Sequence, residues 1–383
     1  MNPLSLKDAF RKIFDAEPML VKSPGRINII GEHTDYNGGL VMPAAINKAV
    51  YVAISQRDDE QIQLYSESYQ EKYIGSISAV SRSEKAWANY ILGVVDGLLK
   101  RGHTLSGFNL YIYGDVPLGA GLSSSAAIEC ATAYALSELH QLTIPKMDLA
   151  LIAQKAEHNF AGVNCGIMDQ FASVFGKKDY AMMLDCESLE HEYIPLKLEG
   201  YKLVLFNTNV KHSLSESAYN ARRAQCEQGV AWVKAQHPEV EYLRDVNPEM
   251  LSEYVLPKDA EVYTKCSYVV AEIARVKKAA AALKDGRLEE LGKLMFETHE
   301  GLSKAYEVSC KELDFLVEQV KDVAEVLGAR MMGGGFGGCT INIVKDEAIE
   351  ELTTKLTQLY HNQFGLNLST YVVETGNGSE IVD

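Results

Sequence analysis

Hydrophobic positions near the start of the chain recur at helical spacing, and those that follow recur at strand spacing. Residues 6–14 carry apolar side chains three or four positions apart, which predicts an amphipathic helix capped by Ser5. From residue 20 onwards the apolar runs become short and predict strands around a loop rich in glycine and asparagine. The strands predicted in this half of the chain are 27–30, 50–54, 108–112 and 180–184.

Helical spacing dominates the rest of the chain. The predicted helices are 124–139, 145–160, 215–235, 267–283, 288–303, 313–327 and 347–363, and the predicted strands are 202–206, 340–344 and 370–373. Strands and helices mix without a regular βαβ order, which favours an α+β fold over a doubly wound sheet. A chain of 383 residues exceeds the usual size of one domain, so we expect two, 1–190 and 191–383.

Composition and charge narrow the class of partner. Hydrophobic residues make up 47% of the chain and charged residues 23%, as in ordinary globular proteins. The formal net charge of −15 argues against nucleic acid and membrane surfaces as partners. Seven cysteines without a C-x-x-C pair suggest reduced thiols, and neither a secretory signal nor a membrane span is visible. We therefore expect a cytoplasmic protein.

Segment 114–127, GDVPLGAGLSSSAA, combines a glycine turn with serines at a helix start. Gly119 and Gly121 let the backbone approach a ligand closely, and the first N–H groups of the helix have no internal acceptor. Such a helix start attracts phosphate. Neither the Walker sequence nor the dinucleotide fingerprint is present. A tight turn with serine caps and no ligand is the alternative, and three consecutive serines favour phosphate.

Two further glycine-rich segments carry candidate chemistry. Segment 24–39, PGRINIIGEHTDYNGG, holds four ionisable residues within ten positions, a density of polar groups suited to a polyhydroxylated substrate. The alternative is a solvated loop; a metal site is disfavoured because His33 has no second histidine at ligand spacing. Segment 328–340, GARMMGGGFGGCT, has apolar flanks, which favours a packed turn lining a cleft over a flexible linker. Helix 313–327 is expected to end at Gly328.

Together the three segments resemble the GHMP kinases, and within them the galactokinase family. Residues 31–37, GEHTDYN, resemble the galactokinase signature, residues 117–127 resemble the serine loop of the superfamily, and residues 333–338, GGGFGG, resemble its third motif. The match covers essentially the whole chain. The resemblance implies an α+β, two-domain GHMP kinase-like fold with the active site in the inter-domain cleft.

The resemblance also assigns a nucleotide and metal site. The loop that would wrap the ATP phosphates consists of Gly119, Ala120, Gly121, Leu122, Ser123, Ser124 and Ser125. Ser125 resembles the magnesium-binding serine, and Glu157 resembles the second ligand of Mg²⁺, an ion that prefers oxygen. Ser66 resembles a position that contacts the nucleotide. Without the resemblance, Glu157 would be interpreted as a surface carboxylate at a helix end.

The sugar and catalytic residues follow in the same way. Asp169 resembles the catalytic aspartate that faces the C1 hydroxyl, and Arg26 resembles the arginine that lowers the pKa of that hydroxyl or stabilises the transferring phosphoryl group. The residues expected to bind the sugar are Glu32, His33, Thr34, Asp35, Gly166 and Tyr219. Taken alone, Tyr219 would be interpreted as a half-buried aromatic side chain on a helix.

The implied reaction moves the γ-phosphoryl group of ATP to the C1 hydroxyl of α-D-galactose, with Mg²⁺ as cofactor. One alternative is a kinase for a related sugar, N-acetylgalactosamine or L-arabinose. Another is a sensor that binds galactose and ATP and acts through a protein partner, and a third is a structural nucleotide-binding protein. The oligomeric state is left open, and a monomer is compatible with the sequence.

Overall fold

The first half of the chain is built from strands with helices interspersed. The computed structural model describes residues 3–117, 119–211 and 215–382, so that Leu118 of the serine loop lies outside the described residues. Up to residue 195 the elements are α1 (Pro3–Phe14), β1 (Met19–Asn28), β2 (Leu40–Val41), β3 (Pro43–Gln56), β4 (Gln61–Ser66), β5 (Glu71–Ser76), α2 (Ala86–Lys100), β6 (Phe108–Gly114), α3 (Ser124–Leu139), α4 (Lys146–Ala156), α5 (Met168–Phe175), β7 (Tyr180–Asp185) and β8 (His191–Pro195).

The second half is mostly helical. Its elements are β9 (Tyr201–Lys211), α6 (Ser215–Lys234), α7 (Pro248–Met250), α8 (Ala260–Lys284), α9 (Leu288–Glu300), α10 (Lys311–Val320), β10 (Val326–Met331), β11 (Gly337–Lys345), α11 (Ile349–Phe364), β12 (Ser369–Val373) and β13 (Glu380–Ile381). Single π-helical turns follow α4, α7 and α9. Of the described helices, none is both long and apolar enough to cross a bilayer.

Within the described residues the strands form three sheets. The largest has the order β13-β1-β3-β6-β4-β5, and only its β4–β6 pair is parallel. A three-stranded sheet has the order β2-β7-β8, and a four-stranded sheet has the order β10-β11-β9-β12. The last strand, β13, pairs with β1 through Val21 and Lys22. The C-terminal end of the described chain therefore completes the sheet begun by the N-terminal end.

A register shift in β1 brings the largest sheet into contact with the serine loop. Pairing between β1 and β3 shifts between Pro24 and Arg26, so Gly25 bulges out of the ladder. A Cβ on Gly25 would lie 2.7 Å from the carbonyl oxygen of Leu122, and the Arg26 N–H donates to that same carbonyl at 3.1 Å. The bulge thus requires glycine and turns the Arg26 side chain towards the start of α3.

One apolar core spans both halves of the chain. Its members include Val52 and Leu110 from the first half, and Leu205, Val276 and Ile341 from the second half, all nearly inaccessible to solvent. Burial of such side chains is the main favourable term in folding. The division at residue 190 stays a prediction, and apolar packing continues across it.

The mixed α+β prediction agrees with these elements, but one predicted helix is wrong. The expected helix 313–327 ends as α10 at Val320, and Gly328 lies inside strand β10 instead of terminating a helix. Apolar residues at 323, 326 and 327 extend the helical spacing by coincidence, while the intervening polar residues form a turn. The elements that were not predicted are strands β2, β4, β5, β8, β10 and β13 and helices α2, α5 and α7.

Candidate active site

A cavity of about 240 Å³ brings together the predicted catalytic pair, Glu157 and most of the predicted sugar-binding residues. Its walls come from the loop after β1, from α5 and the loop before it, from α6, and from the glycine run between β10 and β11. The lining side chains and glycines include Arg26, Glu32, His33, Asp35, Glu157, Cys165, Asp169, Tyr219, Gly333, Gly334 and Gly335. The carboxylates of this cavity form two groups. Glu32 and Asp35 stand on the loop after β1, and Glu157 and Asp169 lie beside α3.

Arg26 and Asp169 form a two-bond ion pair in this cavity. Arg26 Nε donates to Asp169 Oδ1 at 2.8 Å, and Nη2 donates to Oδ2 at 2.9 Å. The Arg26 side chain is 5% exposed and that of Asp169 25% exposed, so the carboxylate keeps an open side. Arg26 Nη1 also donates to the Gly121 carbonyl at 2.6 Å. The guanidinium therefore joins the carboxylate to the serine loop.

The serine loop adopts the backbone that its glycines allow. Gly119 and Gly121 both have φ of +73°, a region that residues with a Cβ rarely adopt. Ala120 and Leu122 are buried in the apolar core, so these two residues anchor the loop. Ser124 is the first residue of α3. The free N–H groups at this helix start have the polarity that an anion requires.

Ser123 and Ser125 direct their hydroxyls towards carboxylates. Ser123 Oγ donates to Asp169 Oδ2 at 2.5 Å, and Ser125 Oγ donates to Glu157 Oε1 at 2.9 Å. Burial raises the pKa of Glu157 to about 7, and the nearby Asp169 adds to the shift. No set of three or more Asp, Glu, His or Cys side chains arranged around a metal ion occurs among the described residues. A cation here would have two oxygen donors, from Ser125 and Glu157.

Gln170 fixes the second oxygen of Glu157. Its Nε2 donates to Glu157 Oε2 at 2.7 Å and to Glu129 Oε2 at 3.2 Å. Glu129 is fully buried, and its burial raises its pKa well above the usual range. Because Gln170 follows Asp169 on α5, the same helix places the candidate base and the residue that orients Glu157.

A buried arginine from β10 holds the loop after β1 that carries Glu32 and Asp35, called the acidic loop from here on. Arg330 is fully buried, and its Nη1 donates to Glu32 Oε1 at 2.9 Å. Its guanidinium also donates to the carbonyls of Asn28, Ile29 and Met331. The Gly333 N–H donates to the same Glu32 oxygen at 2.9 Å, so the glycine run and the loop share one carboxylate. A buried charge requires partners of this kind.

His33 is held as a neutral ring. Its backbone has a φ of +64°, and its Nδ1 lies 2.8 Å from Tyr36 Oη. Burial lowers the pKa of His33 to about 4, although the nearby Glu32 acts in the opposite direction. His33 Nε2 is buried without closing a hydrogen bond. A buried nitrogen left in this way is suited to a polar ligand.

Asp35 and Gly166 fit against each other. A Cβ on Gly166 would lie 2.0 Å from Asp35 Oδ2, so no side chain can occupy that position beside the carboxylate. Burial raises the pKa of Asp35 to about 7, with a further contribution from Asp169. Cys165, the neighbour of Gly166, lines the same wall, and its Sγ lies 3.7 Å from Glu157 Oε2.

Residues 119–125 of the serine loop and Gly166 lie outside the lining of the cavity described here, and so do Thr34 and Ser66. Thr34 is fully buried, and its hydroxyl faces the carbonyls of Gly31 and Leu40 at 3.0 and 2.7 Å, so it shapes the loop. Ser66 is buried at the end of β4, opposite Ile112 of β6, below the strand that leads to the serine loop. Tyr219 does line the cavity, with its ring centroid 5.3 Å from that of His33.

Sequence reasoning missed three residues that fix the site by hydrogen bonds to its loops and carboxylates, namely Arg330, Glu272 and Gln170. Arg330 stands in the quoted segment 328–340, but a single arginine beside glycines gives no signal of burial. Glu272 on α8 accepts the Gly31 N–H at 2.9 Å, and nothing in its helix marks it. Gln170 follows Asp169 directly, so proximity in sequence was the one available signal. The partners of Arg330 and Glu272 lie far away along the chain, so the sequence gives no signal of these contacts.

Comparison with known families gives three matches along the chain. The galactokinase galactose-binding signature matches residues 8–56, the GHMP kinases N terminal domain matches residues 89–177, and the GHMP kinases C terminal model matches residues 279–362. The signature covers Arg26 and the acidic loop, and the N-terminal domain covers the serine loop and Asp169.

Individual relatives extend the match to nearly the full length. The galactokinase of Thermotoga maritima is 45% identical over 360 residues, which cover 94% of this chain and 99% of the relative. That of Limosilactobacillus fermentum is 42% identical, with 99% of each chain covered. The solved structure of Lactococcus lactis galactokinase complexed with galactose superposes with a TM-score of 0.95, at 35% identity and 99% coverage of each chain. Methanococcus jannaschii mevalonate kinase, at 18% identity and a TM-score of 0.68, shares the fold.

Proposed function

The chain belongs to the galactokinase family of the GHMP kinases, and from this premise we propose that its cavity transfers the γ-phosphoryl group of ATP to the C1 hydroxyl of galactose. The resemblance seen in the sequence is confirmed, as is the GHMP kinase-like fold. Membership of this family makes the protein an ATP-dependent sugar kinase. The products would be galactose 1-phosphate and ADP, in galactose catabolism.

The observation that carries the proposal is the Arg26–Asp169 pair beside the start of α3. Phosphoryl transfer needs an oriented nucleophile and stabilisation of spread negative charge. Asp169 keeps an open side towards the cavity and would accept the proton of the C1 hydroxyl as general base. Arg26 holds both carboxylate oxygens and would place positive charge next to the transferring group.

The start of α3 would bind the ATP phosphates. Gly119 and Gly121 keep the loop backbone open, and the N–H groups from Ser124 onwards point out of the helix start. This local polarity is essential because the whole protein carries a formal charge of −15. Ser66 is the buried last residue of β4, and we propose from the family resemblance that it contacts the nucleotide.

The residues next to the phosphate loop fit a magnesium ion. Ser125 donates its proton to Glu157 and keeps its lone pairs, and Glu157 supplies carboxylate oxygen, so both are donors of the type that Mg²⁺ prefers. Burial raises the pKa of both Glu157 and Glu129, with a further contribution from Asp169 to Glu157 and from Glu157 to Glu129. A nearby cation would favour the ionised form of these carboxyl groups. Bound Mg²⁺ would neutralise phosphate charge. Ser125 and Glu157 would hold it, with Gln170 orienting Glu157.

The loop after β1 would bind the sugar. Glu32, His33 and Asp35 bring a carboxylate, a neutral imidazole and a second carboxylate to one wall, and Tyr219 closes it. Sugar hydroxyls both donate and accept, so this mixture is complementary to them. Gly166 leaves room for the Asp35 carboxylate.

A coupled ADP-release assay tests the proposal. The purified chain is given MgATP with galactose, N-acetylgalactosamine, L-arabinose, glucose or mevalonate, and each reaction is repeated with EDTA. We expect turnover with galactose that disappears when EDTA is added. Turnover with another sugar but not with galactose would contradict the proposed substrate and leave the proposed phosphoryl transfer standing. The absence of ADP release with every sugar, together with measurable galactose binding, would favour a sensor.

A further inference from the structure

The hydroxyl of Ser123 connects the serine loop to Asp169 in the wall of the cavity. Ser123 stands at the N-cap of α3, inside the loop that we assign to the phosphates. Its side chain makes no capping hydrogen bond to the helix, and instead donates to Asp169 Oδ2 at 2.5 Å. The residue expected to face the nucleotide is therefore bonded to the residue expected to face the sugar.

A serine hydroxyl has one proton, and this makes the two bonds exclusive. The oxygens of a magnesium-bound nucleotide accept hydrogen bonds and do not donate them, so Ser123 can bond a phosphate only by donating its proton. That proton is already given to Asp169. Ser125 faces no such choice, because a metal ion uses the lone pairs that remain after its proton is donated to Glu157.

Asp169 Oδ2 gains a free acceptor site when Ser123 turns away, whereas Oδ1 accepts a single bond in either case. Its Oδ1 accepts from Arg26 Nε, and its Oδ2 accepts from both Arg26 Nη2 and Ser123. A carboxylate oxygen offers about two lone-pair sites, so Oδ2 is fully used. Removing the Ser123 bond opens one site on Oδ2 without disturbing the Arg26 pair.

We propose that Ser123 is a positioning residue that couples the two substrates. Without nucleotide, its proton is donated to Asp169; with nucleotide, it is donated to a phosphate oxygen, and Asp169 Oδ2 becomes free to accept from the sugar C1 hydroxyl. Nucleotide binding thereby prepares the base for the sugar. By reciprocity, each substrate strengthens the binding of the other by the same factor. The inference rests on the proposed function and names how its two sites communicate.

Calorimetric titration with galactose measures this coupling in the whole protein. Kd for galactose is determined alone and in the presence of saturating magnesium and a non-hydrolysable ATP analogue. For the natural sequence we expect galactose to bind at least about fivefold more tightly with the analogue. Because this readout is binding, it is independent of turnover.

Ser123→Gly removes the hydroxyl and keeps the backbone. Ser123 has a φ of +57°, which glycine adopts freely, so the variant is expected to fold. In this variant the Oδ2 site that Ser123 occupied is always open, while the Arg26 pair remains. Galactose should bind alone about as tightly as it binds the natural protein with the analogue, and the analogue should add less than twofold. Gln141→Gly is the matched control: Gln141 also has a positive φ, +52°, beyond the other end of α3, and should keep the full coupling factor.

Other outcomes separate the inference from the function on which it rests. If the natural protein shows no coupling, or Ser123→Gly keeps the same factor as Gln141→Gly, the inference is overturned while both ligands still bind. If galactose or the analogue fails to bind the natural protein, the proposed function fails first. Ser123→Asn provides a second variant. Asparagine tolerates this backbone and has two amide protons, so it can donate to Asp169 and to a phosphate oxygen at the same time, and the variant should also lose the coupling.

Discussion

At the scale of single residues, Asp169 is the group with the clearest chemical task. Asp169→Asn should lower kcat by at least about a hundredfold, because the amide cannot accept the hydroxyl proton. Nucleotide should still bind, since its proposed contacts lie on the serine loop, and fluorescence titration with a labelled ATP analogue checks this. Asp322→Asn, at an exposed position, serves as the control. A kcat near that of the natural protein would exclude Asp169 as the base.

Arg330 is the residue whose loss should be felt most in stability. Arg330→Met leaves Glu32 and three carbonyls without the hydrogen bonds that Arg330 donates, and should lower the free energy of unfolding by about 3–5 kcal/mol. Denaturant unfolding measures the loss. Adding Glu32→Gln to the same chain should recover part of it, because the uncompensated charge is gone. A double variant no more stable than Arg330→Met would argue against charge as the cause.

Asp35 should make galactose binding depend on pH around neutrality. With a pKa raised to about 7, its carboxyl group is mostly protonated at pH 6 and mostly ionised at pH 8. If sugar hydroxyls donate to the ionised form, Kd for galactose should fall by up to about tenfold over this range. Asp35→Asn should remove the dependence. A natural protein whose Kd is constant from pH 6 to 8 would contradict this assignment.

At the same scale, the sequence predicted residues whose chemistry is local and missed those whose partners are distant. Arg26, the acidic loop and the serines all stand in short motifs, so their types and spacing were informative. Arg330 and Glu272 act on the acidic loop from the second half of the chain, across about 300 and 240 positions. Only the fold brings these pairs together.

At the scale of elements, a pair of glycines sets the contact between α9 and β10. A Cβ on Gly292 would lie 1.9 Å from the Leu327 carbonyl oxygen, and one on Gly328 would lie 2.5 Å from Gly292 Cα. Alanine in a helix normally stabilises by about 1 kcal/mol relative to glycine. Here the sign should reverse: Gly292→Ala should cost about 2 kcal/mol or more, because backbone must move apart.

Thermal and denaturant unfolding of Gly292→Ala test this reversal. Glu289→Ala, at an exposed position of the same helix, should change stability little and controls for helix propensity. Since Gly292 does not line the cavity described above, the folded variant should keep its kcat. A stabilised Gly292→Ala would mean that α9 can shift without penalty.

The same region shows why some elements escaped prediction. Helix spacing in α10 runs into the apolar residues of β10, and only the tertiary pairing of β10 with β11 separates them. Helix α3, which was predicted correctly, begins after the glycine turn at Gly119 and Gly121 and ends before Pro145, so both of its boundaries are marked in the sequence. Helix α2 was not predicted although its apolar residues recur at helical spacing.

At the scale of the whole molecule, the shared core predicts a single unfolding transition. Val52 of the largest sheet, and Val276 and Ile341 of the second half, belong to the same apolar cluster, so neither half can lose its packing alone. Calorimetry should show one heat-absorption peak. Galactose at a hundred times its Kd should move that whole peak upwards, with about 2.7 kcal/mol of added stability. Two peaks, of which galactose moves only one, would show that the halves unfold separately.

The Cys165 thiol in the cavity wall also has a consequence for inhibitor chemistry. Burial and the neighbouring Glu157 carboxylate raise the pKa of this thiol well above its usual range, so little of it is thiolate at neutral pH. Thiolate is the form that attacks electrophiles. A covalent warhead aimed at Cys165 would therefore react slowly despite its place beside the substrates. Reversible compounds that carry donors for the acidic wall offer the better starting point.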